Sequence, residues 1–319
     1  MGTASIYFDH VGLAWRSFWY KLGARRAPSR DCVHLQSLWR RLRGQARGVL
    51  LDGSRCCLDA CLEPALFDAF EKVRSTLKRA AAPHRIPLGL LLISRQQLTA
   101  EQLRTALEAQ RGAGRGRLGE WLLSMGFVTE EKITAALARQ WSCPVLRGPS
   151  LLPRTSRSLQ LPLTLLESFT MIPVDYIEDS STLHLAFGDG VDHNVLYAVE
   201  KMTGTHTEHC MAASSFVRAS LQNRIRQRTE CEVVFECSSD TTECCRIVRS
   251  YCSRLSAYEI RLAGCGPYNW VRLFRVSRPP MDLMFRNSRP LRPPSGSNSA
   301  PKHGHRSPLA GMAGESVRH

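Results

Sequence analysis

The sequence predicts an α+β fold: a tandem helical-hairpin repeat subdomain followed by a small α/β subdomain, then a second small α/β unit and a disordered C-terminal tail. Three observations predict it. Residues Pro87–Gln110 recur, shifted by thirty positions, as Arg117–Gln140. After residue 142 the apolar spacing changes from helical to strand-like. The excess charge sits at the two ends: residues 1–48 hold nine Lys/Arg against two acids, and residues 287–319 hold five against one.

The first region, residues 1–80, is basic and contains cysteines. It offers one helix, His34–Arg43, and then a short extended piece followed by a helix within Cys56–Lys78. Glu63-Pro64 marks the start of that helix, and Ala65, Phe67, Phe70, Val73 and Leu77 are expected on one face. Ala80–Pro83 reads as a linker. The next region, residues 81–228, opens with the repeat. Leu88-Gly89 becomes Leu118-Gly119, Leu92 becomes Leu122, Thr99 becomes Thr129, Ala106-Leu107 becomes Ala136-Leu137, and Gln110 becomes Gln140. Each copy is a short apolar helix, a turn and a longer helix. Thr129 is the N-cap expected for the second long helix, with Glu130 and Glu131 in the first turn, where the helix dipole favours negative charge.

The α/β part, residues 143–228, reads as a strand at Cys143–Leu146 and a short helix at Pro162–Phe169. Paired strands follow at Met171–Ile177 and Thr182–Phe187. Asp192–Thr203 is a helix closed by Gly204, His206–Met211 a strand and Ser214–Ile225 a helix. Residues 229–286 form the second unit, with a strand (Cys231–Phe235), a helix (Thr241–Leu255) and three strands (Tyr258–Ala263, Asn269–Phe274, Met281–Phe285). Residues 287–319, rich in Pro, Ser, Gly and Arg, form the tail.

Composition excludes several classes of function. The longest apolar run, Ile86–Ile93, is far below the ~18 residues of a membrane span. The first residues do not have the pattern of a signal peptide, so a cytoplasmic location is expected. The twelve cysteines include no C-x-x-C pair, which leaves no zinc-ribbon or redox motif, and no metal site is expected. The basic ends carry no stacking pattern of aromatic and basic residues, and the long helices of the repeat carry few Arg/Lys, so nucleic-acid binding is the weakest reading. No G-x-x-x-x-G-K-[ST], G-x-S-x-G or H-E-x-x-H is present, so no enzyme is expected. A Cys–His pairing of His184 or His193 with Cys143 or Cys210 is the one catalytic coincidence.

The stretch RLGEWLLSMGFVTEEKITAALARQ (Arg117–Gln140) resembles the 24-residue motif of the N-terminal (MshEN-like, GspE-type) domain of type II secretion and pilus ATPases. The likeness continues through HLAFGDGVDHNVLYAVEKMTG to about residue 226, some 140 of the 319 residues. RIVRSYCSRLSAYEIRLAGCGPYNWVRLFR (Arg246–Arg275) is weakly similar to the domain that follows in those ATPases. The resemblance implies a non-catalytic regulatory or adaptor module without a motor. It also implies a secretion or pilus platform protein as partner and, through the tandem motif, a cyclic di-GMP ligand.

Carried over position by position, the ligand residues are Arg117, Leu118, Gly119, Leu122, Gly126 and Gln140 in the second copy. In the first copy they are Leu88, Gly89, Leu92 and Gln110. The first copy departs from the motif at two places, with Pro87 for the opening Arg and Gln96 for the central Gly. Arg85 is the candidate to replace the missing Arg. Arg can pair bidentately with phosphate or a guanine edge, Gly admits close approach, Leu covers base faces, and Gln donates and accepts. The same Leu, Ala and Gly positions are what two stacked helical hairpins require. The repeat therefore reads either as a ligand site or as a structural, partner-binding element.

Overall fold

A computed structural model describes residues 48–58, 60–79, 85–146, 160–226, 231–236 and 240–286. The expected helix at His34–Arg43, the linker at Ala80–Pro83 and the tail at 287–319 lie outside the described residues. The elements in chain order are β1 (Gly48–Leu51), β2 (Ser54–Cys57), α1 (Leu62–Arg79), α2 (Leu88–Ser94), α3 (Ala100–Ala113), α4 (Leu118–Ser124), α5 (Glu130–Gln140) and α6 (Leu163–Ser168). They continue as β3 (Met171–Ile177), β4 (Thr182–Phe187), α7 (His193–Thr203), β5 (His206–Met211), α8 (Ser214–Arg226), β6 (Glu232–Phe235), α9 (Thr241–Leu255), β7 (Glu259–Cys265), β8 (Tyr268–Arg275) and β9 (Arg278–Arg286). The fold is mixed helix and sheet, as expected. No helix among the described residues is long and apolar enough to cross a membrane.

The repeat forms its own core from matched positions: Leu92 and Leu122, Leu98 and Val128, Ala106 and Ala136. The main contacts run between copies, with α2 on α5 and α3 on α4. A reciprocal clamp locks this exchange. Gln110 Nε2 donates to the Gly116 carbonyl at 2.9 Å, and Gln140 Nε2 donates to the Ile86 carbonyl at 2.7 Å. Each long helix thus holds the segment that leads into the other copy. Thr99 caps α3 through a capping box with Gln102, whereas Thr129 caps α5 by backbone conformation without a side-chain bond.

The turn between the helices needs a left-handed residue in both copies. Gly126 takes φ +68°, and Gln96, at the equivalent place, takes φ +57°. The fold is kept in the first copy, but a side chain at αL costs ~1–2 kcal/mol, partly offset by the greater chain entropy of glycine. Gln96→Gly is expected to raise the unfolding free energy by about 0.5–1 kcal/mol in urea titration, and Gly126→Ala to lower it by about 1 kcal/mol.

Strands β3, β4 and β5 form a three-stranded sheet, antiparallel then parallel. The expected strand at Cys143–Leu146 is a single bridge, Val145 to Met211. Asp192 caps α7 by accepting from the Asn194 amide at 2.8 Å, and Gly204 closes the helix at φ +75°.

The other sheet has six strands in the order β2-β1-β7-β8-β9-β6. One face packs on α1 and α9 through Leu62, Leu66, Phe70, Val248 and Cys252. The opposite face contributes Cys265, Tyr268, Trp270 and Met284 to the core around α7. From the region before residue 80, β1 and β2 join the sheet of residues 229–286 as strands, and α1 packs on one of its faces. The reason is the parallel pairing of β1 with β7, which joins residues about 210 positions apart. The face of α1 differs from expectation. Leu62, Leu66 and Phe70 are its buried stripe, Phe67 is exposed, and the Leu77 side chain lies outside the described residues.

Two polar devices join this sheet to the α/β subdomain. Arg272 is paired with Asp282 (2.7 and 2.8 Å) and also donates to the Gln160 carbonyl. The Glu232 carboxylate accepts from the Leu163 and Thr164 amides at 2.7 and 3.1 Å, satisfying the start of α6.

Candidate ligand pocket at the repeat junction

A pocket of about 410 Å³ lies where α4 and α5 meet the loop after β4 and the start of α8. That volume is within the ~300–1,000 Å³ usual for small-ligand sites. Leu88 from the first copy forms part of its wall, with Arg117, Leu118, Gly119, Ile133 and Leu137 from the second. Gly188, Asp189, Ser214, Ser215 and Arg218 close the far side.

The site is strongly organised by charge. The Arg117 backbone N–H donates to Glu120 at 3.0 Å, and Arg218 donates to the same carboxyl group at 3.0 Å. These two hydrogen bonds hold the Glu120 carboxyl below its ordinary pKa, the Arg117 amide bond having the larger effect. Glu130 accepts from both the Ser215 amide (2.8 Å) and the Ser215 hydroxyl (2.6 Å), so a first-turn acid of α5 covers the N-terminus of α8. Asp189 accepts from Thr170 Oγ1 at 2.9 Å and Ser214 Oγ at 3.0 Å. Its Oδ2 also faces Arg117 at 3.2 Å and Arg218 at 3.8 Å. The Arg117 side chain remains 62% exposed beside this contact.

Of the ten carried-over residues, four line the pocket: Arg117, Leu118, Gly119 and Leu88. The other six stand elsewhere. Leu92 and Leu122 are fully buried in the repeat core. Gly126 is the left-handed turn residue, and Gln110 and Gln140 are the two clamps. Gly89 is a packing glycine, since a Cβ there would sit 2.7 Å from the Leu103 side chain. Gly119 differs: a Cβ would meet Ile133 and Leu88 only at 3.6–3.8 Å. Gly119→Ala should therefore melt within a degree or two of wild type while narrowing the pocket. Gly89→Ala should lose ~1–3 kcal/mol by overpacking, read in the same melting series.

Arg85, the candidate to replace the arginine missing at position 87, is not among the residues that line the pocket. Its guanidinium stacks over the Trp141 ring, 2.9 Å from the centroid, away from the pocket lining. Pro87 takes the N-cap place that Arg117 holds in the second copy, and Leu90 stands where Glu120 does. The first copy therefore lacks both the cation and its organising acid.

Sequence reasoning missed Asp189, Arg218, Glu130 and Ser214–Ser215 as pocket residues. The available signal was the Gly188-Asp189-Gly190 turn that ends a buried strand. In the Cys–His coincidence, burial raises the Cys143 pKa and pushes that of Cys210 up to about 12, which disfavours the thiolate at both. His184 faces Glu208 instead, at 3.8 Å.

With the geometry in place, the chain can be set beside known proteins. No family model matches it. It is 30% identical over 122 residues to the type IV pilus assembly ATPase PilB of Thermus thermophilus. The resemblance to secretion and pilus ATPase N-terminal domains holds. The match covers 38% of this chain and 14% of the Thermus protein, so this chain spans about one seventh of that relative's length. Similar solved structures are MshE with cdg (27% identical, TM-score 0.37, covering 44% of this chain and 99% of that one) and the N-terminal domain of XpsE (22% identical, TM-score 0.34, covering 42% and 91%).

Proposed function

We propose that this chain is a non-catalytic regulatory module whose repeat binds cyclic di-GMP through the pocket at the second copy. The observation that carries this reading is the convergence of Arg117, Leu118 and Gly119 with Leu88 of the first copy on one cavity. Arg117 offers a guanidinium for a phosphate or guanine edge, and Leu88 and Leu118 offer apolar cover for a base. The ligand class follows from the likeness of Arg117–Gln140 to the secretion-ATPase motif. With Pro87 in the first copy the site is a half-site, and its affinity falls accordingly.

Calorimetric titration of the full chain tests it. Arg117→Ala should weaken cyclic di-GMP binding about 10- to 100-fold, the value of one charged hydrogen-bonding contact, and Arg111→Ala, outside the pocket lining, should leave it unchanged. Equal affinity in wild type and Arg117→Ala would remove the reading.

A second reading, an adaptor that docks on a secretion or pilus platform protein without nucleotide, is favoured by a different face. Ile86 and Leu90 are 60% and 54% exposed at the start of α2. On that reading Leu90→Glu abolishes capture of the platform protein's cytoplasmic domain and leaves the nucleotide titration unaltered.

A further inference from the structure

We infer that Asp189 is a resident competitor for the anionic group of the pocket's ligand, and so sets the concentration at which the pocket fills. The inference rests on the reading that this pocket takes an anion. Its evidence is the way the charges of the site are already spent on one another. Three carboxylates and two guanidinium groups line the cavity. Glu130 is engaged by Ser215, and Glu120 by the Arg117 amide and Arg218.

Asp189 is the carboxylate placed on the Arg117 side chain itself, at 3.2 Å, and it is only 15% exposed. Thr170 and Ser214 hold it from behind through hydrogen bonds to its two oxygens. Gly188 brings it there: a Cβ at that position would lie 3.0–3.1 Å from Thr170 and from the Ser214 backbone. Asp189 is therefore fixed by the α/β subdomain, whereas Arg117 is the exposed and movable member of the pair.

A phosphate drawn to Arg117 from within the pocket arrives beside a second negative charge that cannot withdraw. The ligand must exchange for Asp189 on the guanidinium, and Arg117 must swing away from the loop. Arg218, 3.8 Å from the same carboxylate, remains to balance Asp189 after the exchange. A neutral amide at 189 accepts one of these two hydrogen bonds through Oδ1 and donates in the other through Nδ2 to a hydroxyl turned to accept, so it removes the repulsion and leaves the loop in place.

The test compares the full-length wild type with Asp189→Asn and Asp189→Ser, each titrated with cyclic di-GMP and, separately, with inorganic pyrophosphate. Only a neutral variant that melts close to wild type is read, and the smaller serine side chain guards against misfolding of the asparagine form. The expected result is about tenfold tighter cyclic di-GMP binding in the neutral variant. Tighter pyrophosphate binding in the variant, with no cyclic di-GMP binding to either protein, supports the competitor and refutes the cyclic di-GMP reading. Equal or weaker cyclic di-GMP binding in the variant overturns the competitor and leaves that reading intact. Failure of both probes on every protein overturns both.

Discussion

Asp282→Ala is expected to lower the unfolding free energy by about 3–5 kcal/mol, because it breaks a buried ion pair and leaves its cation behind. Asp282 accepts from Trp270 Nε1 at 2.7 Å, from Arg272 Nε at 2.7 Å and from Arg272 Nη2 at 2.8 Å. The Arg272 side chain is 1% exposed, so water cannot replace the lost carboxylate. The damage extends beyond the sheet, because the same guanidinium holds the Gln160 carbonyl that leads into α6. Replacing both partners, Arg272→Met with Asp282→Leu, should recover much of the loss, with the Trp270 N–H still unpaired. Urea unfolding followed by tryptophan fluorescence measures both. A loss below about 1 kcal/mol for Asp282→Ala would mean that the pair is not buried as described.

Leu122→Ala is the second large effect, about 2–5 kcal/mol, from the transfer and cavity terms of a fully buried leucine. The motif likeness reads Leu122 as a ligand residue, and the two accounts separate cleanly. As a core residue, Leu122 lowers the melting temperature on truncation, with or without ligand present. As a ligand residue, it lowers affinity and leaves the melting temperature of the free protein alone. Leu92, its partner by the thirty-residue shift, should behave in the same way.

Most elements from Pro162 to Phe285 were legible in the sequence. Their strands alternate or run apolar, and their helices carry clear ends, such as Asp192 before α7 and Gly204 after it. The hairpin β1–β2 was not legible as part of the sheet. Its strands have four residues each, and its pairing with β7 is a contact across the whole repeat. Within the repeat, Leu88 and Leu92 are both motif leucines four residues apart on α2, yet one lines the pocket and the other fills the core. Apolar spacing alone cannot separate these roles. Gln110 and Gln140 raise a related point: a side chain suited to reading a base is equally suited to holding a backbone carbonyl, as both do. Asp189 and Arg218 were missed because they approach Arg117 and Glu120 from elements about 70 to 100 residues further along the chain.

Amide chemical-shift mapping of the full chain with cyclic di-GMP is the most direct test of where the ligand sits. Saturable shifts are expected at Leu88 and at residues 117–120, 188–190 and 214–218, with residues 259–286 unmoved. Absence of shifts at about 100 μM ligand, or shifts confined to residues 259–286, would contradict a ligand in this pocket.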